Sequence, residues 1–251
     1  FDVPLDAVFT ASNEIIITIQ PIYHSSMIEI KKDTKLHEIV LLDPTIITVF
    51  YRFGIVLGLS DSTVESICED KKIDIGFFLA ILNTYLLPSY FPENKIRNFS
   101  ASDIVNYLSQ TNVFYEKFQI PNIERHFGLL LKKTESGNSN LALMMKFLVE
   151  VKSELLQRIY DDRENWFPQL LAQYSKNHDV VLNYEKVDES DSIEDKIDDL
   201  INMFVIHLKG DYDHNLCQAV LISLANFKKD ITQNNRIRNR ILKPFSQALH
   251  I

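Results

Sequence analysis

Apolar residues recur at spacings of three and four along most of this chain, and four stretches carry the pattern far enough to predict long packed helices. The first begins after a capping Ser100 or Ser102 and lines up Ile104, Leu108, Thr111, Tyr115 and Phe118 as one inward stripe. Pro121 then predicts a kink. After a turn-forming run that starts at Glu135, the second helix covers residues 141–174, with Met144, Phe147, Leu148, Val151, Leu155 and Ile159 on its apolar side. A third covers 193–208, Lys209-Gly-Asp breaks it, and a fourth runs from about Asp213 to the end. Four such helices joined by turns predict a bundle.

Ahead of them, residues 35–87 read as three or four short helices, with Pro44 suited to a first helical turn and Asp61-Ser-Thr placed as a cap before Val64. Pro88, Pro92 and Glu93-Asn-Lys interrupt all periodicity, which places a linker at 89–99. The expected fold class is therefore all-α. A small helical domain at 27–88 precedes an antiparallel four-helix bundle at 100–251, and residues 1–26 form an extension with a short strand at 14–22. Phe1 is no natural initiator.

Composition changes this picture little. Six glycines and eight prolines in 251 residues are few for a turn-rich β architecture. A formal charge of -8 argues against a general nucleic-acid binder, which needs a surplus of Lys and Arg on one face. One local exception is the last helix, where Lys228, Lys229, Arg236, Arg238, Arg240 and Lys243 stand against Asp230. They form either a stripe for nucleic acid or a solvated face laced to neighbouring acids. Cys68 and Cys217 are too few for a disulfide framework and read as free thiols. No apolar run reaches the roughly 18 to 20 residues of a membrane span, and the first residues lack a basic signal-peptide start. The expected compartment is the cytoplasm.

Two eleven-residue segments, Arg158 to Pro168 and Asn234 to Pro244, share a layout: polar or charged residues at the first and fifth positions and a closing proline. With Ile120-Pro121 and Cys217 they resemble the haemerythrin-like domain of the repair-of-iron-centres (RIC) family. Thr34-Lys-Leu-His-Glu-Ile-Val, Pro44, Phe53-Gly-Ile and Thr63 to Cys68 resemble that family's ScdA-type amino-terminal domain, with Met27 near its start. The resemblance implies a di-iron centre with His first and Glu fifth in each segment. Here those former ligand positions hold Arg158, Asp162, Asn234 and Arg238. The family's double cysteine corresponds to Gly58 and Leu59. A first-helix histidine is expected where Thr111, Asn112 and Val113 stand, and a third-helix one near Met203, where His207 is the nearest imidazole.

Guanidinium stays protonated and has no free lone pair, so Arg158 and Arg238 oppose a cation where the family binds one. Complementary charges one turn apart on two helices suggest instead an ionic cluster of these four side chains, or charges that simply sit in water. His207, Asp211, Asp213 and His214, or nearby Glu154 and Glu164, offer the alternative of a relocated iron site. Trp166 and Phe167 are expected to pack the bundle end. No phosphate loop, nucleophile elbow or zinc-protease motif is present.

These readings point to a non-enzymatic regulatory, sensor or partner-binding module without a cofactor. Proteins of similar pattern form the front part of Bacteroidetes LuxR-type transcription regulators, which implies a protein partner, a following DNA-binding domain or a homodimer. DNA contact by this chain alone is not expected. The alternative is an iron-binding stress-response protein that repairs iron-sulfur clusters.

Overall fold

The computed structural model describes residues 29–92, 94–134, 138–176 and 192–243. The expected strand at 14–22, residues 135–137 of the expected turn and Pro244 lie outside these residues. Among the described residues the fold is all-α, with a single isolated bridge between Lys35 and Thr63.

Short polar residues start the helices where the sequence places them. Helices α1 (Leu36–Leu42) and α2 (Ile47–Arg52) flank a 3-10 turn, Pro44–Ile46, whose cap Asp43 accepts from Thr45 N at 3.1 Å. Helix α3 (Val64–Lys71) opens on a capping box in which Thr63 and Ser66 satisfy each other's backbone N–H. Asp74 caps α4 (Ile75–Leu86). Ser100, rather than Ser102, caps α5 (Ala101–Phe114).

Each long run is interrupted by a π turn. Helix α5 passes through Tyr115–Gln119 into α6 (Ile120–Lys133), and α7 (Ser139–Asp161) through Asp162–Trp166 into α8 (Phe167–Lys176). Helix α9 (Ser192–Asn202) ends in the π turn Met203–His207, and α10 (His214–Ile237) in Arg238–Leu242. A π turn inserts one extra residue into the α ladder. The inward stripe of the first run therefore steps from Tyr115 to Ile120, five residues on, and continues through Ile123, Phe127 and Leu130. Phe118, expected inward, is turned out to 62% exposure. Pro121 sits in the first turn of α6, directly after the π turn, where its missing N–H removes little.

Helices α6, α7, α9 and α10 contact one another in a ring and share one apolar core, which includes Phe127, Leu148, Val151, Leu200, Leu224 and Phe227. A second core joins α1 to α4 with the start of α5, but it also takes in Trp166, Phe167 and Leu170 and the end of α10 at Ile237, Ile241 and Leu242. The amino-terminal helices and the lower ends of the long runs thus bury their apolar surface together. Trp166 and Phe167 pack there, 7% and 5% exposed.

Candidate functional site

The opening residues of two π turns meet in the interior. Asp162 starts one π turn and Arg238 another, and both are buried. Arg238 donates from Nη1 to Asp162 Oδ2 at 2.8 Å and from Nη2 to Oδ1 at 2.9 Å, a bidentate fork. Asn112 Nδ2 donates to the same carboxylate at 3.0 Å. The indole of Trp166 lies 4.9 Å below the guanidinium. Burial alone would push the Asp162 carboxyl up; the Arg238 charge, its hydrogen bonds and that of Asn112 outweigh it and hold the group below its ordinary value.

Arg158, half-buried, belongs to an adjoining network. Its Nη2 donates to Asn235 Oδ1 at 2.6 Å, and Asn235 and Thr232 both donate to Glu194 on α9. The expected partner of this cluster, Asn234, points elsewhere: it is 2% exposed and its Oδ1 accepts no hydrogen bond among the described residues. The four positions are therefore divided, with Asp162 and Arg238 joined, Arg158 on the neighbouring asparagine and Asn234 buried apart from all three. Of the first-helix positions, Thr111 is buried and returns its hydroxyl to Tyr107 O, Asn112 serves Asp162, and Val113 faces out.

Two turns toward the amino-terminal end of α10 lies a second buried ion pair that the sequence reading missed. Arg52, the last residue of α2, pairs with Asp230. Asp230 also accepts from Thr48 at 2.8 Å and from the Tyr85 hydroxyl at 3.4 Å. The guanidinium faces Tyr107, Phe114 and Tyr115, with ring centroids 5.3–5.8 Å away. Burial would lower the Arg52 guanidinium, but the Asp230 carboxylate, together with Tyr107 and Tyr115, outweighs this and raises it well above its ordinary value. Burial and Asp230 push the Tyr115 hydroxyl up.

The remaining sequence-derived sites fare differently. His207 is exposed at the end of its π turn. Asp213 caps α10 through Leu216 N at 2.9 Å and pairs with Lys133 at 3.2 Å. His214 packs edge-on to Tyr212. Glu154 binds Lys196, and Glu164 binds Arg163. Among the described residues, no three His, Cys, Asp or Glu side chains converge as a metal would need, so His207, Asp211, Asp213 and His214 are adjacent in sequence without forming a ligand set. At the former ligand positions the donor chemistry itself does not fit a di-iron group: the one carboxylate is committed to a guanidinium, and no imidazole accompanies it. Gly58 adopts φ +97°, a conformation that disfavours cysteine or any other side chain, and Leu59 packs against the core.

Along α10, Lys228 pairs with Asp198, Lys229 with Asp43 and Arg238 with Asp162, which laces much of the basic face to neighbouring acids. Cys68 and Cys217 are both buried; burial pushes the Cys68 thiol up to about 12 and raises Cys217 too. No helix among the described residues is long and apolar enough to cross a membrane. Comparison with known proteins adds no relative to this geometry: no family model, no curated protein and no solved structure matches the chain.

Proposed function

We propose that this chain is a non-catalytic regulatory or partner-binding module that needs no metal, built on a scaffold like that of the repair-of-iron-centres family, with its long helices as a haemerythrin-like antiparallel bundle. One observation carries the reading. The positions that would hold iron in that family present a bidentate Asp162–Arg238 pair, backed by Asn112 and Trp166. The guanidinium offers no lone pair to a cation and its charge opposes one, while the carboxylate is held by three hydrogen bonds. Such a centre specifies how helices fit together and offers no acid, base or redox group for chemistry. The module serves best as the sensory part of a cytoplasmic transcription regulator, passing a signal to a protein partner or to an attached DNA-binding domain.

Anaerobic purification with added ferrous iron, followed by elemental analysis, tests the reading. Iron below stoichiometry, with no change in melting, supports it; about two irons per chain, the content of a carboxylate-bridged pair, overturns it. Loss of the gene then separates regulation from repair. Altered transcript levels with intact iron-sulfur enzyme activities support the regulator, and the reverse pattern favours the iron-dependent alternative.

A further inference from the structure

Two of the cations on α10 differ from the rest. Arg236 and Arg240 stand one turn apart, and among the described residues their partners are neutral: Arg236 donates to Gln233 Oε1 and, at 2.6 Å, to Leu87 O, while Arg240 donates to Tyr90 O. Lys228, Lys229 and Arg238 on the same helix each have a carboxylate. The backbone carbonyls of the 87–90 turn thus hold both guanidinium planes in place without cancelling their charge. Among the described residues neither side chain leaves a fully buried nitrogen without a partner, and both residues are part-exposed. Burial, and then repulsion from Arg240, lower the Arg236 guanidinium. Among the described residues the Glu29 carboxylate borders the turn; burial and then Glu29 raise the Tyr90 phenol.

We propose that Arg236 and Arg240, braced by the Leu87 and Tyr90 carbonyls, form a binding site for the phosphate group of a small phosphorylated ligand. Two guanidiniums held in fixed orientation match a dianion with several acceptor oxygens, because each offers parallel N–H donors. A nucleic-acid backbone would need a longer row of uncompensated cations, and the neighbouring ones are neutralised within the fold, on a chain of net charge -8. This site is separate from the Asp162–Arg238 centre and does not depend on the regulatory reading. It lies where the amino-terminal helices meet the end of α10, so that an anion there would add to the contacts between them.

The test titrates the full chain with inorganic phosphate and pyrophosphate by calorimetry, with chloride at equal ionic strength as reference, and compares R236Q/R240Q after circular dichroism has verified its fold. Saturable pyrophosphate binding, weakened about tenfold or more in the variant as for loss of a charge-assisted hydrogen bond, supports the site. Equal responses to phosphate and chloride, or unchanged binding in the variant, overturn it. If the double variant does not fold, R240Q alone decides by the same two criteria. Displacement of pyrophosphate by a mixed-sequence DNA duplex at lower concentration would overturn the choice of a small ligand.

Discussion

Arg52 and Asp230 are separated by 178 residues, yet they form an ion pair whose side chains are 1% and 4% exposed. The pair fastens the end of α2 to the middle of α10, and Thr48 and Tyr85 close over the same carboxylate. Removing one partner leaves a buried charge unmatched. Arg52→Met is expected to cost about 3–5 kcal/mol, and Arg52→Met/Asp230→Leu to recover much of that loss. Urea denaturation of the two variants and of Asp230→Leu measures the coupling; additive losses would contradict it.

The same pair and the shared core around Trp166 and Ile237 tie the amino-terminal helices to the long runs, which are expected to unfold as one cooperative unit. Trp166 fluorescence and far-ultraviolet dichroism are expected to report coincident urea transitions. A Trp166 transition that precedes the main loss of helicity would show that the amino-terminal helices unfold alone, because Trp166 lies in their core.

The Asp162 carboxyl is held below its ordinary value, which fixes the sign of a pH effect. A depressed folded-state value means that the ionised form stabilises the fold. The contribution is complete above the unfolded value of about 4 and disappears as pH falls through the lower folded value. Asp162→Asn is therefore expected to be less stable at pH 7 and to lose less stability on acidification. Melting curves from pH 7 to 2.5 check this; parallel profiles for the two proteins would refute it.

The π turn at Tyr115–Gln119 carries one residue more than an α-helix needs between Tyr115 and Ile120. Deleting Glu116 is expected to restore α spacing with both residues still inward, at a cost within about 1–2 kcal/mol. Deleting Arg125, inside regular α6, rotates every later core residue of that helix and is expected to unfold the chain. The two deletions are compared by thermal melting, and equal damage from both would count against the extra-residue account.

Burial protects both thiols. With its thiol pushed up to about 12, Cys68 is expected to react with iodoacetamide at pH 8 far more slowly than a free peptide thiol, and Cys217 likewise. Both are expected to react at ordinary rates in urea. Mass spectrometry of timed samples gives the answer, and rapid labelling of the native protein would contradict it.

Much of this architecture is legible in the sequence because the long helices are amphipathic and their ends carry caps. Side-chain chemistry points to Ser100 or Ser102 as a cap, and the break at Lys209-Gly-Asp puts the last helix start near Asp213, which caps it. The Asp162–Arg238 pair was legible as complementary charge on two helices. Its companion was not: Arg52 reads as an ordinary cation in the last turn of a short helix, and only contacts from distant Asp230, Tyr107 and Tyr115 bury it. The π turns were equally hidden, since one inserted residue leaves apolar composition unchanged while rotating Phe118 outward. The division of the former ligand positions turned on a single residue, Asn235 in place of Asn234, which helix spacing alone does not resolve.

Asp230, Asn234 and Arg238 stand one turn apart on α10, and the outer two meet partners of opposite sign on α2 and α7. Suppose α10 slid by one turn during folding. In one direction Asn234 would replace Asp230 and Leu242 would replace Arg238; in the other, Asn226 and Asn234 would take those places. Either error strands Arg52 and Asp162 together in the dry interior, a penalty that grows in two places from one mistake. An apolar helix surface would tolerate such a slip far better, so this polar ladder acts as a check on assembly that rejects a misaligned chain before it can settle.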